Sequence, residues 1–434
     1  MPLQQSVFIN NPHNQLKNDE ILRINNLKVN FKIKDGILQA VRGVSLSVRK
    51  GQIVGIVGES GSGKSVCVKS LIGFNDNATI EADLINLSNI DLTKIKKRSW
   101  SYIRGSYVSY IPQDPLMSLN PTKKIGAQVA EAIIVSERRK YLQRKKSLSK
   151  IDSEYVSKLT TLKVEYRNLT KSSVVKKRVI EILDFIGIKN AESRMNAYPH
   201  EFSGGMRQRI VIAIAVATRP DLIIADEPTT ALDVTIQAKV LDLIKRLRDE
   251  FNITIIFISH NIALVANFCD YVYVMYAGRI LEQGRTEELF LDPKHPYTWA
   301  LIASIPNESA KNEKLSSIPG TPPNLVSPPR GDAFAPRNKY AMEIDFEYHP
   351  PLFDVTETHK AATWLLHPDA PKVPIPEEVK KKIDESRSSF KLYIEQKRTA
   401  ELQRSINIQT KNCSNDTSEI VTNNFQIEGG NDNE

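Results

Sequence analysis

Ile53-Val54-Gly55-Ile56-Val57 runs directly into Gly58-Glu59-Ser60-Gly61-Ser62-Gly63-Lys64-Ser65, and a helical pattern opens at Ser65-Val66-Cys67-Val68. The order is strand, glycine loop, helix. Glycines at 58, 61 and 63 let the backbone curl with its N–H groups inward, and the helix behind adds its positive end, so Gly58, Glu59, Ser60, Gly61, Ser62 and Gly63 form a cradle for phosphate oxygens. Lys64 reaches the terminal phosphates, and Ser65 offers a hydroxyl to Mg²⁺, a hard ion that prefers oxygen ligands. The stretch predicts an α/β fold built on a phosphate-binding P-loop core.

Five further segments fit around this loop. Val108-Ser109-Tyr110-Ile111-Pro112 reads as a short strand ending in Gln113, which can touch both Mg²⁺ and an attacking water. Leu222-Ile223-Ile224-Ala225 is a continuous apolar strand of the kind buried in a parallel sheet, and it ends abruptly in Asp226 and Glu227. Asp226 is placed to hold the Mg²⁺ shell. Glu227, one residue on and expected on the opposite side of the strand, is placed to orient or deprotonate water. Thr254-Ile255-Ile256-Phe257-Ile258 leads to Ser259-His260, a third strand end carrying a polar group suited to the same crevice. Phe202-Ser203-Gly204-Gly205-Met206-Arg207-Gln208-Arg209 starts another helix, with Ser203 placed as its cap and Gly204 and Gly205 leaving N–H groups exposed, a second phosphate site. In isolation this is an ordinary Ser-Gly-Gly helix start. Ala231-Leu232-Asp233 reads as a tight turn before the next helix.

Upstream, Leu22, Ile24, Leu27, Val29 and Phe31, with Val44, Leu46 and Val48, alternate against polar neighbours around the turn Lys34-Asp35-Gly36, which predicts an antiparallel β layer. Phe31 lies at its tip. It reads either as a core or edge phenylalanine or as a ring that stacks on a purine.

A chain of 434 residues, 25% charged and 41% hydrophobic, has room for one large domain and an appendage. Its longest apolar run, Ile210 to Ala217, is fenced by Arg209 and Arg219 and is too short to span a bilayer. Residues 1 to 20 are polar and Asn-rich, without a secretory signal, so a cytoplasmic location and a flexible N-terminus (1–19) are expected. Cys67, Cys269 and Cys413 have no metal-like spacing and read as two buried small residues and a loose tail thiol. The net charge of +9 is concentrated: from Glu137 to Arg178 there are 14 Lys and Arg against 4 Asp and Glu. That segment, about 137–175, reads as a partly helical, solvated insert in a helical subdomain (about 115–215), with anionic lipid as the next reading and no nucleic acid partner.

The order phosphate loop, Gln113, Ser-Gly-Gly, Asp226-Glu227, Asp233, His260 resembles the ATP-binding cassette superfamily across residues 20 to 290. Tyr110-Ile111-Pro112-Gln113-Asp114-Pro115 with Ser118-Leu119-Asn120-Pro121, Tyr198-Pro199-His200-Glu201 before Phe202, and His295-Pro296-Tyr297-Thr298-Trp299-Ala300-Leu301 are similar to its peptide permease branch. So are Pro319-Gly320-Thr321-Pro322-Pro323-Asn324, Gly331-Asp332-Ala333-Phe334-Ala335-Pro336-Arg337 and Ala361-Ala362-Thr363-Trp364-Leu365-Leu366-His367-Pro368.

The resemblance implies ATP held by residues 58 to 65, purine stacking by Phe31, and Mg²⁺ contacts from Ser65, Gln113 and Asp226. Glu227 becomes the catalytic carboxylate and His260 the γ-phosphate switch, with Gln113 beside them. Ser203, Gly204, Gly205 and Gln208 would meet ATP bound on a second ATPase subunit in a head-to-tail dimer, and Asp233 would couple the two sites. It further implies two membrane permease subunits, an extracellular peptide-binding protein acting indirectly, a peripheral place on the cytoplasmic face of the membrane, and the uptake of oligopeptides. Dipeptides, nickel or another small solute are the near alternatives, and a soluble cassette ATPase acting on nucleic acid or ribosomes the distant one. Many relatives in this branch carry four cysteines for an iron–sulfur cluster in the C-terminal extension. Here Asp332, Asn338, Asp345 and Thr363 stand there, so no cluster is expected. The extension, about 291–385, is expected to rest on apolar packing of Phe334, Tyr340, Phe346, Phe353 and Trp364, and 386–434 reads as a charged, disordered tail.

Overall fold

The structure, a computed structural model, describes residues 7–9, 14–17, 19–115, 117–148, 155–230, 232–305, 318–385 and 387. The tail beyond 387, Cys413 and Ala231 therefore lie outside the described residues. The chain divides into one large unit, 1–379, and a second, 380–434, whose described residues are helical.

Two sheets carry the large unit. In the first, β1 (Glu20–Ile33) and β2 (Gly36–Arg49) pair antiparallel, with Ile24 opposite Leu46 and Val29 opposite Val41. The buried positions of β1 run Leu22, Ile24, then Leu27, Val29, a one-residue break in the period of two. A bulge between Ile24 and Leu27, with Asn26 in the left-handed region at φ 51°, absorbs the extra residue and keeps both pairs facing the core. β4 (Ala78–Glu81) pairs with β1, and β5 (Leu84–Leu87) and β6 (Ile90–Asp91) complete the layer. The described parts of the N-terminal stretch are packed on this layer, in contrast to the expected loose end: Val7 is 5% exposed and the Ile9 N–H donates to the Asn89 carbonyl at 3.0 Å.

Among the described residues the second sheet has eight strands. β3 (Ile53–Val57), β7 (Val108–Ile111), β8 (Leu222–Asp226), β9 (Thr254–Ser259) and β10 (Tyr271–Tyr276) run parallel in the order β10-β3-β9-β8-β7, and β3, β8 and β9 are buried along their whole length. Strands covered on both faces need apolar side chains at every position, which is why these segments read as unbroken runs. Each fully buried Ile or Phe there contributes about 1.5–3 kcal/mol. β3 lies beside β9, and β9 beside β8, so the glycine loop and the Asp226-Glu227 end are separated by the single strand that ends at Ser259.

Helices fill the crossovers. α1 (Lys64–Lys69) follows β3, and the short α2 (Trp100–Ile103) precedes β7. Between β7 and β8 come α3 (Ile125–Ser147), α4 (Tyr155–Leu169), α5 (Ser172–Phe185), α6 (Ala191–Arg194) and α7 (Gly204–Ala217). The basic segment occupies the end of α3, all of α4 and the start of α5. Its first turns are docked rather than solvated: Lys140 Nζ and Gln143 Nε2 donate to the Thr218 carbonyl and the Tyr107 hydroxyl at 3.3 and 2.7 Å, and Arg139 donates to the Arg104 carbonyl. The excursion proper therefore begins after Gln143, where Arg144 pairs with Glu165 across the α3–α4 hairpin at 2.8 Å.

α8 (Val234–Phe251) shows how local signals set an element. Asp233 caps it by accepting the Ile236 N–H at 2.9 Å, Val240, Leu243, Ile244 and Leu247 repeat at helical spacing and are buried, and Asn252 ends it at φ 51°. α9 (Ile262–Ala266) follows β9, and α10 (Thr286–Leu291) follows β11 (Arg279–Arg285), which pairs antiparallel with β10.

The extension is continuous with this sheet. After α11 (Pro296–Ala303) and α12 (Glu343–Glu347), β12 (Phe353–Asp354) and β13 (Lys360–Ala361) add a ribbon to the outer edge of β11. No boundary between compact units falls near 290. Phe334 is buried, Trp299 meets Tyr340 edge-on at 5.6 Å, and Phe353 meets Trp364 at 6.0 Å. Phe346 is 55% exposed and does not join the expected apolar packing. Polar capping supplies the rest. Asp332, Asp345 and Thr363, all buried, accept the backbone N–H groups of Phe334, Met342 and Leu365 at 3.1, 2.7 and 3.3 Å. Burial, chiefly, pushes the Asp332 carboxyl up to about 7. Fully buried Glu282 accepts the Lys294 and His295 N–H groups and meets the His359 ring at 2.8 Å.

Candidate functional site

The site lies where β3, β8, β9 and β7 end. The loop between β3 and α1 has no room at two of its glycines: a Cβ on Gly63, at φ 96°, would stand 2.4 Å from the Ala40 carbonyl oxygen, and one on Gly58 2.0 Å from that of Met275. Gly61, in contrast, faces open space. Lys64 is 4% exposed, and its ammonium donates to the carbonyls of Gly58 and Glu59 at 2.7 and 2.8 Å and lies 3.4 Å from Ser62 Oγ. Burial lowers its pKa, opposed by the charges of Glu227, Asp226 and Glu59.

Asp226 is the hub of the next group. Its Oδ1 accepts from Ser65 Oγ at 2.7 Å and its Oδ2 from the Tyr110 hydroxyl at 2.7 Å, with Lys69 at 3.8 Å. Burial first, then this bond and the carboxylate charge, raise the Tyr110 pKa well above its ordinary value and keep it a donor. Ser65 Oγ and Asp226 Oδ1 in contact form a hard, all-oxygen pair of the kind Mg²⁺ takes through one or two protein ligands. The residues present therefore fit that ion.

Glu227 is not aimed by strand alternation. β8 ends at Asp226, and Glu227 sits in the left-handed region at φ 48°, its N–H donating to the Ile258 carbonyl at 3.1 Å. A non-glycine residue held there stores strain that the surroundings must enforce, a common feature of functional sites. Its Oε2 collects Thr230 Oγ1 at 2.9 Å, His260 Nδ1 at 3.1 Å and Gln113 Nε2 at 3.3 Å. Three sequence-distant strand ends thus meet on one carboxylate oxygen. Thr230 was not marked by sequence reading, since one hydroxyl after Glu-Pro carries no pattern of its own.

The remaining expected site residues lie apart from this cluster. Ser203 occupies the N-cap position of α7, but its side chain makes no cap hydrogen bond and stays exposed beside exposed Gly204. A Cβ on Gly205 would stand 2.5 Å from Ile236 Cγ2, so α8 passes too close for any larger residue. Asp233 is exposed with its Oδ1 engaged in the α8 cap, and Val234 beside it is 83% exposed. Gln208 is 1% exposed and faces the interior of α7's packing, its amide atoms without a partner among the described residues. Phe31 is half-buried in β1, opposite Leu38 and Ala78 and packed on the apolar cluster of the first sheet.

Sequence reading missed the extension's grip on the loop. Arg337 forms a bidentate pair with Glu59, Nη1 to Oε2 at 2.6 Å and Nη2 to Oε1 at 2.9 Å, and the Glu59 N–H donates to the Tyr297 hydroxyl at 2.8 Å.

Comparison with known proteins places this geometry. The chain matches the ABC transporter family over residues 41–230 and the family "Oligopeptide/dipeptide transporter, C-terminal region" over residues 281–344. It is 65% identical over 386 residues to the oligopeptide transport ATP-binding protein OppD of Mycoplasma genitalium, a match that covers 87% of this chain and 96% of that one. Identity to OppD of Bacillus subtilis is 46% over 374 residues, covering 85% and 96%. With the dipeptide transport ATP-binding protein DppD of Lactococcus lactis it is 47% over 356 residues, covering 82% and 93%.

Proposed function

The chain belongs to the ABC transporter family of ATP-binding subunits, in its oligopeptide and dipeptide branch, and from that premise we propose that it hydrolyses ATP to drive the uptake of oligopeptides. The observation that carries the chemistry is the convergence of Gln113, Thr230 and His260 on Glu227 Oε2, next to the Ser65–Asp226 pair and Lys64. In this reading the N–H groups of residues 58 to 65 and the Lys64 ammonium bind the β- and γ-phosphates of ATP. Glu227 orients the attacking water and accepts its proton, in the left-handed conformation that points its carboxylate at the strand ends. Gln113 and His260 hold that carboxylate and contact the transferring phosphate. Ser65, Gln113 and Asp226 would hold Mg²⁺, which when bound neutralises charge on the phosphate oxygens.

The exposed Ser203, Gly204 and Asp233 support a head-to-tail dimer with a second ATPase subunit, Ser203 to Gly205 facing the partner's ATP. Buried Gln208 supports those residues from below rather than touching nucleotide itself. Phe31 stacks on the purine with the exposed part of its ring. Among the described residues no helix is long and apolar enough to cross a membrane, in keeping with a peripheral subunit docked on two permeases at the cytoplasmic face and served indirectly by an extracellular peptide-binding protein. The extension holds together by the capping and packing described above, without an iron–sulfur cluster. Protein purified anaerobically is expected to carry no iron and no visible charge-transfer band, and stoichiometric iron would reject this.

Substrate is the element that a test must fix, since a dipeptide relative is about as similar as the Bacillus oligopeptide one. Cells whose only copy carries Glu227→Gln are expected to lose accumulation of labelled peptides of four to six residues, and the tagged protein is expected to co-purify with two transmembrane proteins. Loss of dipeptide uptake alone would move the assignment to dipeptides, and unchanged uptake of both would reject peptide import.

A further inference from the structure

We propose that the C-terminal extension sets the position of the phosphate loop through Arg337, a positioning residue that acts on ATP binding by way of Glu59. The inference rests on the ATPase reading above and adds a role for residues outside the cassette motifs.

Arg337 is 278 positions from Glu59, yet its side chain is only 4% exposed and all five of its N–H donors are engaged. Nε donates to the Pro319 carbonyl at 2.7 Å, Nη1 to Glu59 Oε2 at 2.6 Å and the Tyr276 hydroxyl at 3.1 Å, and Nη2 to Glu59 Oε1 at 2.9 Å and the Ile318 carbonyl at 3.2 Å. Five fixed donors leave the guanidinium one orientation, and the fork aligned with the carboxylate leaves Glu59 one as well. A second contact fixes the same residue, because the Glu59 N–H donates to the hydroxyl of fully buried Tyr297. Tyr297 is itself wedged against Tyr276 and Phe334, with ring centroids 4.7 and 5.2 Å away.

The consequence reaches the phosphate-binding group directly. Glu59's carbonyl is one of the acceptors of the Lys64 ammonium, at 2.8 Å. The loop is pinned at Gly58 and Gly63 by neighbouring backbone, and between those pins Glu59 is held from the extension, while Gly61 borders open space. Arg337, Glu59 and Lys64 therefore form one line of contacts from the extension to the cradle. Tyr297 and Arg337 both fall within the residues that match the oligopeptide/dipeptide C-terminal region.

A double-mutant cycle on the full-length chain tests this, with Arg337→Gln, Glu59→Gln and the pair, read out by binding of a fluorescent ATP analogue, by KM and kcat in the assembled transporter, and by thermal unfolding. Displacing the loop should raise KM and weaken binding about tenfold in each single variant, with kcat changed far less. The double variant should be no worse than either single one. Arg337→Lys should recover little, since an ammonium cannot make the forked pair. Tyr297→Phe, which deletes one oxygen, should give a smaller rise of the same kind and guards against variants that fail to fold. Unchanged nucleotide affinity in variants that only melt earlier, or effects of Arg337→Gln and Glu59→Gln that add independently, would overturn the proposal. Failure of the wild-type chain to bind or hydrolyse ATP would instead overturn the ATPase reading.

Discussion

Replacing Glu227 by Gln is expected to leave ATP bound and to slow its hydrolysis by about 10²-fold or more, the usual contribution of a general base. The amide is nearly isosteric with the carboxylate, so contacts from Thr230 and Gln113 can be kept while the capacity to take a proton from water is lost. The left-handed turn at Glu227 is a backbone feature, enforced by the N–H bond to Ile258, and the substitution does not disturb it. The check is a pair of measurements on one preparation, equilibrium ATP binding and single-turnover hydrolysis. Wild-type turnover in a variant that still binds ATP would remove Glu227 from its assigned role, and loss of both would mean that the carboxylate serves binding.

Lys64→Ala is expected to act at the other step. Its ammonium is a buried cation whose protein acceptors are carbonyls of the loop itself, so an arriving phosphate exchanges neutral partners for charged ones. A charge-assisted hydrogen bond of this kind is worth about 1.5–3 kcal/mol, which translates to an ATP affinity roughly 10- to 100-fold weaker. Hydrolysis should fall further, because the same charge faces the transferring phosphate. Titration with a fluorescent ATP analogue separates the two variants: Glu227→Gln should bind as the wild type does, and Lys64→Ala should not. Equal binding by both would reject the loop's assignment to the phosphates.

Both residues were legible from sequence because their signals are local. A buried parallel strand must be apolar throughout, so the place where Leu222 to Ala225 gives way to Asp226 and Glu227 marks the strand end without any knowledge of neighbours. The glycine loop is read the same way, from backbone demands that only glycine meets at 58 and 63. Other features depend on what the chain meets after folding. Alternation along β8 would place Glu227 opposite Asp226, whereas the strand has already ended and a positive φ sets its direction. Ser203 sits at a helix start, yet its hydroxyl makes no cap bond, because N-cap preference is a local tendency and does not by itself fix the side chain. Arg139 and Lys140 belong to the block that reads as solvated, but a charge count does not see that long side chains can lay their stems on the core and donate to its carbonyls. Val7 is apolar in an Asn-rich stretch and only the first sheet's surface explains its burial. Arg337 and Glu59 carry no pairwise signal across 278 positions, and ion pairs of that span are invisible to periodicity and spacing alike.

The ribbon that β12 and β13 lay along β11 makes the chain's modularity different from what its two matched families suggest. Cassettes are natural parts for transplantation between transporters, and the seam between the matches, after residue 230 and before 281, looks like a place to cut. A cut there would take β10, and β9 as well if made before Thr254, out of the sheet's interior, and a truncation near 290 would strip β11 of its hydrogen-bonded neighbour and present a bare edge to other copies, a template for self-association. It would also strand Glu59 without its guanidinium. Any exchange that keeps the sheet closed has to move residues 20 to 379 together, so the working part in this transporter is the cassette with its extension and not the cassette alone.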